Sequence, residues 1–143
     1  MMEIIFGNQK AVQAASFYLR YQVFVLEQRI PASLEFDGLD TSDRKYLVFF
    51  DHELPVATAR FQTKTSKILQ PDRLCVTKKY RLKGLGQQLL TCLETEGKKN
   101  NLISSELSAE MTAIDFYQKQ GYQVISEPYK EDGILCVTMK KEL

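Results

Sequence analysis

Residues 76–88 constrain the fold more than any other stretch. The β-prone run Arg73-Leu74-Cys75-Val76 gives way to the basic segment Lys78-Lys79-Tyr80-Arg81-Leu82-Lys83-Gly84-Leu85-Gly86. Leu85, Leu89, Cys92 and Leu93 then recur at helical spacing. A strand thus runs through a glycine loop into a helix. The first N–H groups of a helix have no partner inside it and carry partial positive charge, which suits a phosphate. Gly84 and Gly86 remove the Cβ atoms that would hold a diphosphate off the backbone, and Arg81, Lys83, Lys78 and Lys79 add charge. The pattern Arg/Gln-x-x-Gly-x-Gly/Ala arises by chance about 0.15 times in a chain of this length. Its weight therefore comes from its place between strand and helix. No Gly-Lys-Ser/Thr follows, which excludes a Walker A loop, and the three-glycine spacing of a dinucleotide fingerprint is absent. A basic loop that binds nothing is the plainer alternative.

Residues 3–6 read as a short strand closed by the turn signal Gly7-Asn8. From Lys10, the residues Ala11, Ala14, Ala15, Tyr18 and Leu19 follow helical spacing, so a helix is predicted to about Val25. Residues 29–44 hold Pro31, Gly38 and the acids Glu35, Asp37, Asp40 and Asp43, with Glu27 just before. They read as a long loop with at most one helical turn, and long loops in small domains are often functional. Residues 46–50 and 56–63 are strands around the turn 51–55. The second alternates Ala57, Ala59 and Phe61 against Thr58, Arg60 and Gln62. Ile68-Leu69 and residues 73–76 read as one strand interrupted at Pro71-Asp72. The helix from Leu85 is expected to stop near Gly97, and residues 102–107 to form a strand. Residues 109–120 are expected as a helix with Ser108 as N-cap and Gly121 closing it. Residues 122–126 and 134–140 are closing strands around the turn-rich 127–133. The order β-α-loop-β-β-β-α-β-α-β-β, without repeat or linker, gives one α/β domain over residues 1–143 with a mixed sheet.

Nineteen Lys+Arg against eighteen Asp+Glu leave a formal charge of +1. That removes the bulk electrostatic case for nucleic acid or an anionic membrane as partner. Function has to come from a local site. Cys75, Cys92 and Cys136 form no CxxC pair, so neither a disulfide framework nor a zinc site is expected, and a reducing cytoplasm fits. No signal peptide and no membrane-spanning run is read. The single histidine, His52, lies between Asp51 and Glu53 as a hairpin turn residue. One histidine makes Ser-His-Asp triads and multi-His metal sites poor candidates.

On these residues the chain resembles the GNAT N-acetyltransferase family. Arg81-Leu82-Lys83-Gly84-Leu85-Gly86 is similar to the family's pyrophosphate loop, and Arg73-Leu74-Cys75-Val76 to its fourth strand. Ala113-Ile114-Asp115-Phe116-Tyr117-Gln118-Lys119-Gln120-Gly121-Tyr122 resembles its Ala-x-x-Phe-Tyr-x-x-x-Gly-Phe block. The element order is also the family's, so the resemblance covers the whole chain and implies the GNAT acyl-CoA N-acyltransferase fold. Arg20-Tyr21-Gln22-Val23-Phe24-Val25-Leu26-Glu27-Gln28, followed by Asp37 and Asp40, further resembles a branch of small bacterial acetyltransferases. That branch usually ends Gly-Ile-x-His-x-x-Met. This chain has Gly133-Ile134-Leu135-Cys136-Val137-Thr138-Met139, with Cys in place of His.

The resemblance implies acetyl-CoA as cosubstrate, no metal, and a primary amine of a small molecule or peptide as acceptor. It implies a homodimer more often than a monomer. Arg81 and the backbone N–H groups of Leu82, Lys83, Gly84, Leu85, Gly86 and Gln87 would hold the pyrophosphate. Leu74, Cys75 and Val76 would pair with the pantetheine arm, and the Val76 N–H would face the thioester carbonyl. Such a donor stabilises a developing oxyanion by a few kcal/mol. Tyr117 takes the place of the family's acid, which protonates the departing thiolate. An amine of pKa near 10.4 is neutral in about one molecule in two thousand at pH 7, so a proton acceptor is needed. The carboxylates available are Glu27, Glu35, Asp37, Asp40, Glu106 and Glu110, with Glu27 first because of its place in the branch-like motif. The acids of residues 27–40 form either a rim for a cationic amine or a solvated loop. Outside enzymology, the same features fit an acyl-CoA-binding or interaction module of this fold, or a nucleotide-binding regulatory domain.

Overall fold

The computed structural model describes residues 2–143. Its strands are β1 (Met2–Gly7), β2 (Lys45–Asp51), β3 (Leu54–Phe61), β4 (Thr63–Thr65), β5 (Ile68–Leu69), β6 (Asp72–Val76), β7 (Ser104–Glu110), β8 (Gln123–Val124), β9 (Tyr129–Glu131) and β10 (Ile134–Glu142). The α-helices are α1 (Lys10–Arg20), α2 (Ala32–Glu35), α3 (Leu85–Lys99) and α4 (Ile114–Lys119). The expected mixed sheet is divided in two. One sheet is antiparallel in the order β1-β2-β3-β6. The other runs β4-β5-β7-β10-β8 with β9 on β10, and β5 and β7 are its parallel pair.

The first sheet lies between α1 and α3. Leu47, Phe49, Ala57 and Ala59 pack with Leu85, Leu89 and Leu93 of α3, while Tyr46, Val48 and Cys75 pack with Val12 and Leu19 of α1. Each leucine fully buried in this way contributes about 1.5–3 kcal/mol. Alternation in β3 therefore separates two buried faces rather than core from solvent. Thr58 Oγ1 meets Ser16 Oγ at 2.8 Å beneath α1, and Arg60 is buried beneath the loop that follows it.

Several sequence boundaries move, each for a local reason. The first helix keeps α geometry only to Arg20, and Tyr21–Glu27 is a π-helix whose end is closed by Gln28 N–H to Val23 O at 3.0 Å. The wider turn keeps Val23 buried and leaves Phe24 and Gln28 on a cavity wall. Ile68-Leu69 and residues 73–76 are not one strand. Leu69 pairs with Ser105 in the second sheet, whereas Asp72 already pairs with Arg60 in the first. Residues 108–110 belong to β7, because β10 pairs Ser108 with Thr138 and Glu110 with Cys136. Ser108 therefore caps no helix, and α4 begins only at Ile114, after the 3₁₀ turn Met111–Ala113. Helix α3 passes Gly97 to reach Lys99. Gly97 serves packing instead: a Cβ there would meet Leu69 Cδ2 at 3.3 Å and Leu102 Cδ1 at 3.5 Å. The 127–133 segment contains β9, folded back on β10 through Asp132-Gly133. Gly121, at φ +96°, does close α4, and His52, at φ +58°, does turn the β2–β3 hairpin.

Candidate active site

The two sheets part between β6 and β7. Strand β6 pairs with β3 alone, and β7 beyond Ser105 pairs with β10 alone. The facing edges of β6 and of residues 106–110 thus leave backbone donors and acceptors to a guest. A cavity of about 310 Å³ lies beside this slot, lined by Phe24, Gln28, Cys75, Val76, Arg81 and Tyr117 among others. A second, of about 400 Å³, includes Gly84, Gln87, Lys119 and Gln120 in its lining. Val76, Arg81, Gly86 and Phe116 line both, so the two spaces adjoin.

The glycine loop faces the second space. Gly84 is the N-cap of α3 at φ +80° and Leu82 sits at φ +63°, so the chain turns sharply twice before the helix starts. No side chain caps α3, and its first backbone bond is Gln88 N–H to Gly84 O at 3.2 Å. The N–H groups of Leu85, Gly86 and Gln87 are therefore left for an anion at the positive end of a 15-residue helix. Lys83 Nζ lies 5.3 Å from the Tyr80 ring centroid, next to the loop. Arg81 is already committed: Nε donates to Val76 O at 2.8 Å, while Nη1 and Nη2 reach Glu27 Oε2 and Oε1 at 2.5 and 2.7 Å.

Residues 8–143 match the family model for a GNAT acetyltransferase domain. The chain belongs to the GNAT acetyltransferase family. It is 34% identical over 143 residues to the uncharacterized N-acetyltransferase YjcF of Bacillus subtilis, covering 99% of this chain and 100% of that one. A crystal structure described as an N-acetyltransferase from Lactobacillus plantarum superposes with TM-score 0.96 at 39% identity, covering 99% of this chain and 98% of that chain. A GNAT acetyltransferase from Elizabethkingia anophelis, solved with acetyl-CoA bound, shares the fold at TM-score 0.74 and 15% identity, over 99% and 98% of the two chains.

Within this GNAT frame, Leu74, Cys75, Val76, Arg81, Gly86 and Tyr117 come together around the first cavity. Leu82, Gly84, Leu85 and Gln87 line the second, and Lys83 lies in the loop between them in sequence. Tyr117 stacks edge-on against Phe116 and Tyr122, with ring centroids 5.1 and 5.9 Å away. Its hydroxyl has no hydrogen-bond partner among the described residues. Burial, with Glu110 adding to it, pushes its pKa up to about 12. Cys75 is 7% exposed, and burial likewise pushes its thiol up to about 12, so it is not a thiolate nucleophile at neutral pH.

The acids separate by role. Glu27 is exposed, and the hydrogen bond from Arg81 holds its carboxyl below the usual range. Glu35, Asp37 and Asp40 do not form a free acidic rim; they are held in an ion-pair network beneath the loop. Arg20 Nε meets Glu35 Oε2 at 2.9 Å and its Nη1 meets Asp40 Oδ1 at 2.8 Å. Arg60 reaches Asp37 and Asp72 at 2.7 Å and Asp40 at 3.1 Å, and Arg73 reaches Glu35 and Asp37 at 3.0 and 3.1 Å. Arg20 and Arg60 are 0% and 1% exposed, so these charges are spent inside the protein. The residues that neutralise the acids, Arg20, Arg60 and Arg73, lie far from them in sequence, and nothing local announces the match. Glu106 accepts from Lys64 Nζ at 2.9 Å. Gln28 and Phe24, which sequence reasoning did not single out as site residues, are walls of the first cavity. The extra residue of the π turn puts them there, and apolar spacing alone does not show that turn.

Proposed function

We propose that residues 1–143 act as one acetyl-CoA-dependent N-acetyltransferase domain, moving the acetyl group directly to a primary amine in a ternary complex. One observation carries this reading: an unpartnered tyrosine hydroxyl in a cavity that adjoins an uncapped, glycine-opened helix start. The uncapped N–H groups of α3 suit the pyrophosphate, and the unpaired edge of β6 suits the amides of a pantetheine arm. That route brings the thioester towards Val76 and Tyr117. A free Val76 N–H would stabilise the oxyanion. The amine nitrogen attacks the carbonyl carbon, the C–N bond forms, the C–S bond breaks, and Tyr117 gives its proton to the sulfur. The tyrosinate recovers a proton from the acylated nitrogen through water. With its thiol held protonated, Cys75 offers no acetyl-cysteine intermediate.

Glu27 enters as a positioning residue: its carboxylate fixes Arg81 at the boundary of the two spaces. No helix among the described residues is long and apolar enough to cross a membrane. The free cysteines fit a reducing cytoplasm. The near-neutral charge fits a partner that is neither nucleic acid nor membrane. A homodimer is the assembly we expect, and analytical ultracentrifugation tests it. The activity is tested by thiol release from acetyl-CoA across a panel of amines. Amine-dependent release supports the enzyme, whereas acetyl-CoA binding without release assigns a binding module instead.

A further inference from the structure

The transfer proposed above needs a group to take a proton from the acceptor ammonium, and most of the acids are occupied. Glu27 is bound to Arg81, Glu35 to Arg20 and Arg73, Asp37 to Arg60 and Arg73, Asp40 to Arg20 and Arg60, and Glu106 to Lys64. The Glu110 carboxylate has no hydrogen-bond or ion-pair partner among the described residues. It is exposed, at the last position of β7, on the unpaired side of the slot. Alternation along β7 decides where it points. Leu107 and Ala109 pack into the core with Leu90, Tyr122, Val137 and Met139, and Tyr117 packs against that same cluster. Glu106, Ser108 and Glu110 therefore take the opposite face. Cys136 stands across from Glu110 on β10, and Tyr129 stands across from Cys136 on β9. Glu110 is also near enough to the Tyr117 hydroxyl for its charge to act on it.

Resting on the acetyltransferase reading, we propose that Glu110 receives the acceptor's proton from the open face of the slot, while Tyr117 serves the thiolate from the core face. The proton count closes. Of the three hydrogens on the ammonium, one passes through Glu110 to water, one stays on the amide nitrogen, and one replaces the proton that Tyr117 gives to CoA. The charged and titratable groups around Glu110 are Tyr117 on α4, Cys136 on β10, and Tyr129 and Glu131 on β9, both of which bond the Ser108 hydroxyl on the same face of β7.

The test is Glu110→Gln, assayed with the best amine of the panel from pH 6.5 to 9.5, with calorimetric acetyl-CoA binding alongside. At pH 7, kcat/KM for the amine should fall on the order of 10²-fold. The loss should shrink as pH approaches the amine's own pKa, where the base is no longer needed. Acetyl-CoA affinity should stay within about twofold, and Glu110→Asp should recover part of the rate. A rate within about twofold of wild type at pH 7, or a loss equal at every pH, overturns the assignment. If Glu110→Gln fails to bind acetyl-CoA, Glu110→Asp decides: a pH-dependent deficit supports the role and a uniform one refutes it. Wild-type protein that transfers nothing to any amine brings down the acetyltransferase reading and this proposal together. An active wild type beside an unimpaired variant brings down this proposal alone.

Discussion

Glu27 Oε2 and Arg81 Nη1 lie 2.5 Å apart, joining the end of the π-helix to the entrance of the glycine loop. Arg81 also donates to Val76 O, so one side chain links the N-terminal helix, strand β6 and the loop. The pair is solvent-exposed enough that its net worth for stability is below about 1 kcal/mol. Its consequence is positional. Glu27→Gln should raise the KM for acetyl-CoA severalfold and leave kcat within about threefold. Steady-state kinetics read both numbers. A kcat loss of about 10²-fold at unchanged KM would instead make Glu27 the base.

Tyr117→Phe removes one hydroxyl and keeps the ring contacts with Phe116 and Tyr122. Acetyl-CoA binding and melting temperature should hardly change, while kcat should fall on the order of 10²-fold. A phenol raised to about 12 is a weaker acid than an ordinary tyrosine. The same burial disfavours a bare thiolate, so donor and acceptor rise together. Because the raised group stays protonated, wild-type kcat should show no alkaline fall from Tyr117 below about pH 11. An unchanged kcat in the folded variant returns Tyr117 to the core.

How much of this was readable from residues alone depends on whether the signal was local. The strand–loop–helix at 76–88 was readable because Gly84 must adopt φ +80° and Arg81, Lys83 and the glycines are adjacent in sequence. The start of α4 was not, because 109–120 has helical spacing and only the distant strand β10 holds Ser108, Ala109 and Glu110 extended. The split between the sheets turns on Pro71-Asp72, which reads equally well as a kink in one strand. The acidic loop shows the largest gap. Glu35, Asp37 and Asp40 look like a solvated or substrate-facing rim until Arg20, Arg60 and Arg73 are brought to them by tertiary packing.

That buried network should dominate stability. Arg60 holds Asp37, Asp40 and Asp72 at once, so Arg60→Met leaves three carboxylates short of a partner. Removing one member of a buried pair costs on the order of 3–5 kcal/mol, and urea unfolding should show a loss of that size. The pH dependence has a definite sign. Arg20, after burial is offset, holds the Asp40 carboxyl far below its usual range, as Arg60 does more mildly for Asp37. Their contribution is present in full above about pH 4 and is lost as pH falls through the lowered values. Glu35 and Asp72, raised by burial, act in the opposite sense. Asp40→Asn should therefore lower stability at pH 7 and flatten its decline below pH 4. An Asp40→Asn profile parallel to wild type would contradict the assignment.

The most direct measurement of the central claim follows CoA thiol and N-acetylated product together, in wild type and in Gly86→Glu. A Cβ at Gly86 meets Phe116 Cζ at a tolerable 3.6 Å, so the backbone should fold, but a glutamate places bulk and negative charge at the start of α3, where we propose the pyrophosphate binds. Wild type should release one thiol per acetylated amine, and Gly86→Glu should bind acetyl-CoA more than tenfold less tightly and turn over correspondingly slowly. Wild-type protein that binds acetyl-CoA yet makes no acetylated amine, or a Gly86→Glu variant with undiminished affinity, would contradict the account.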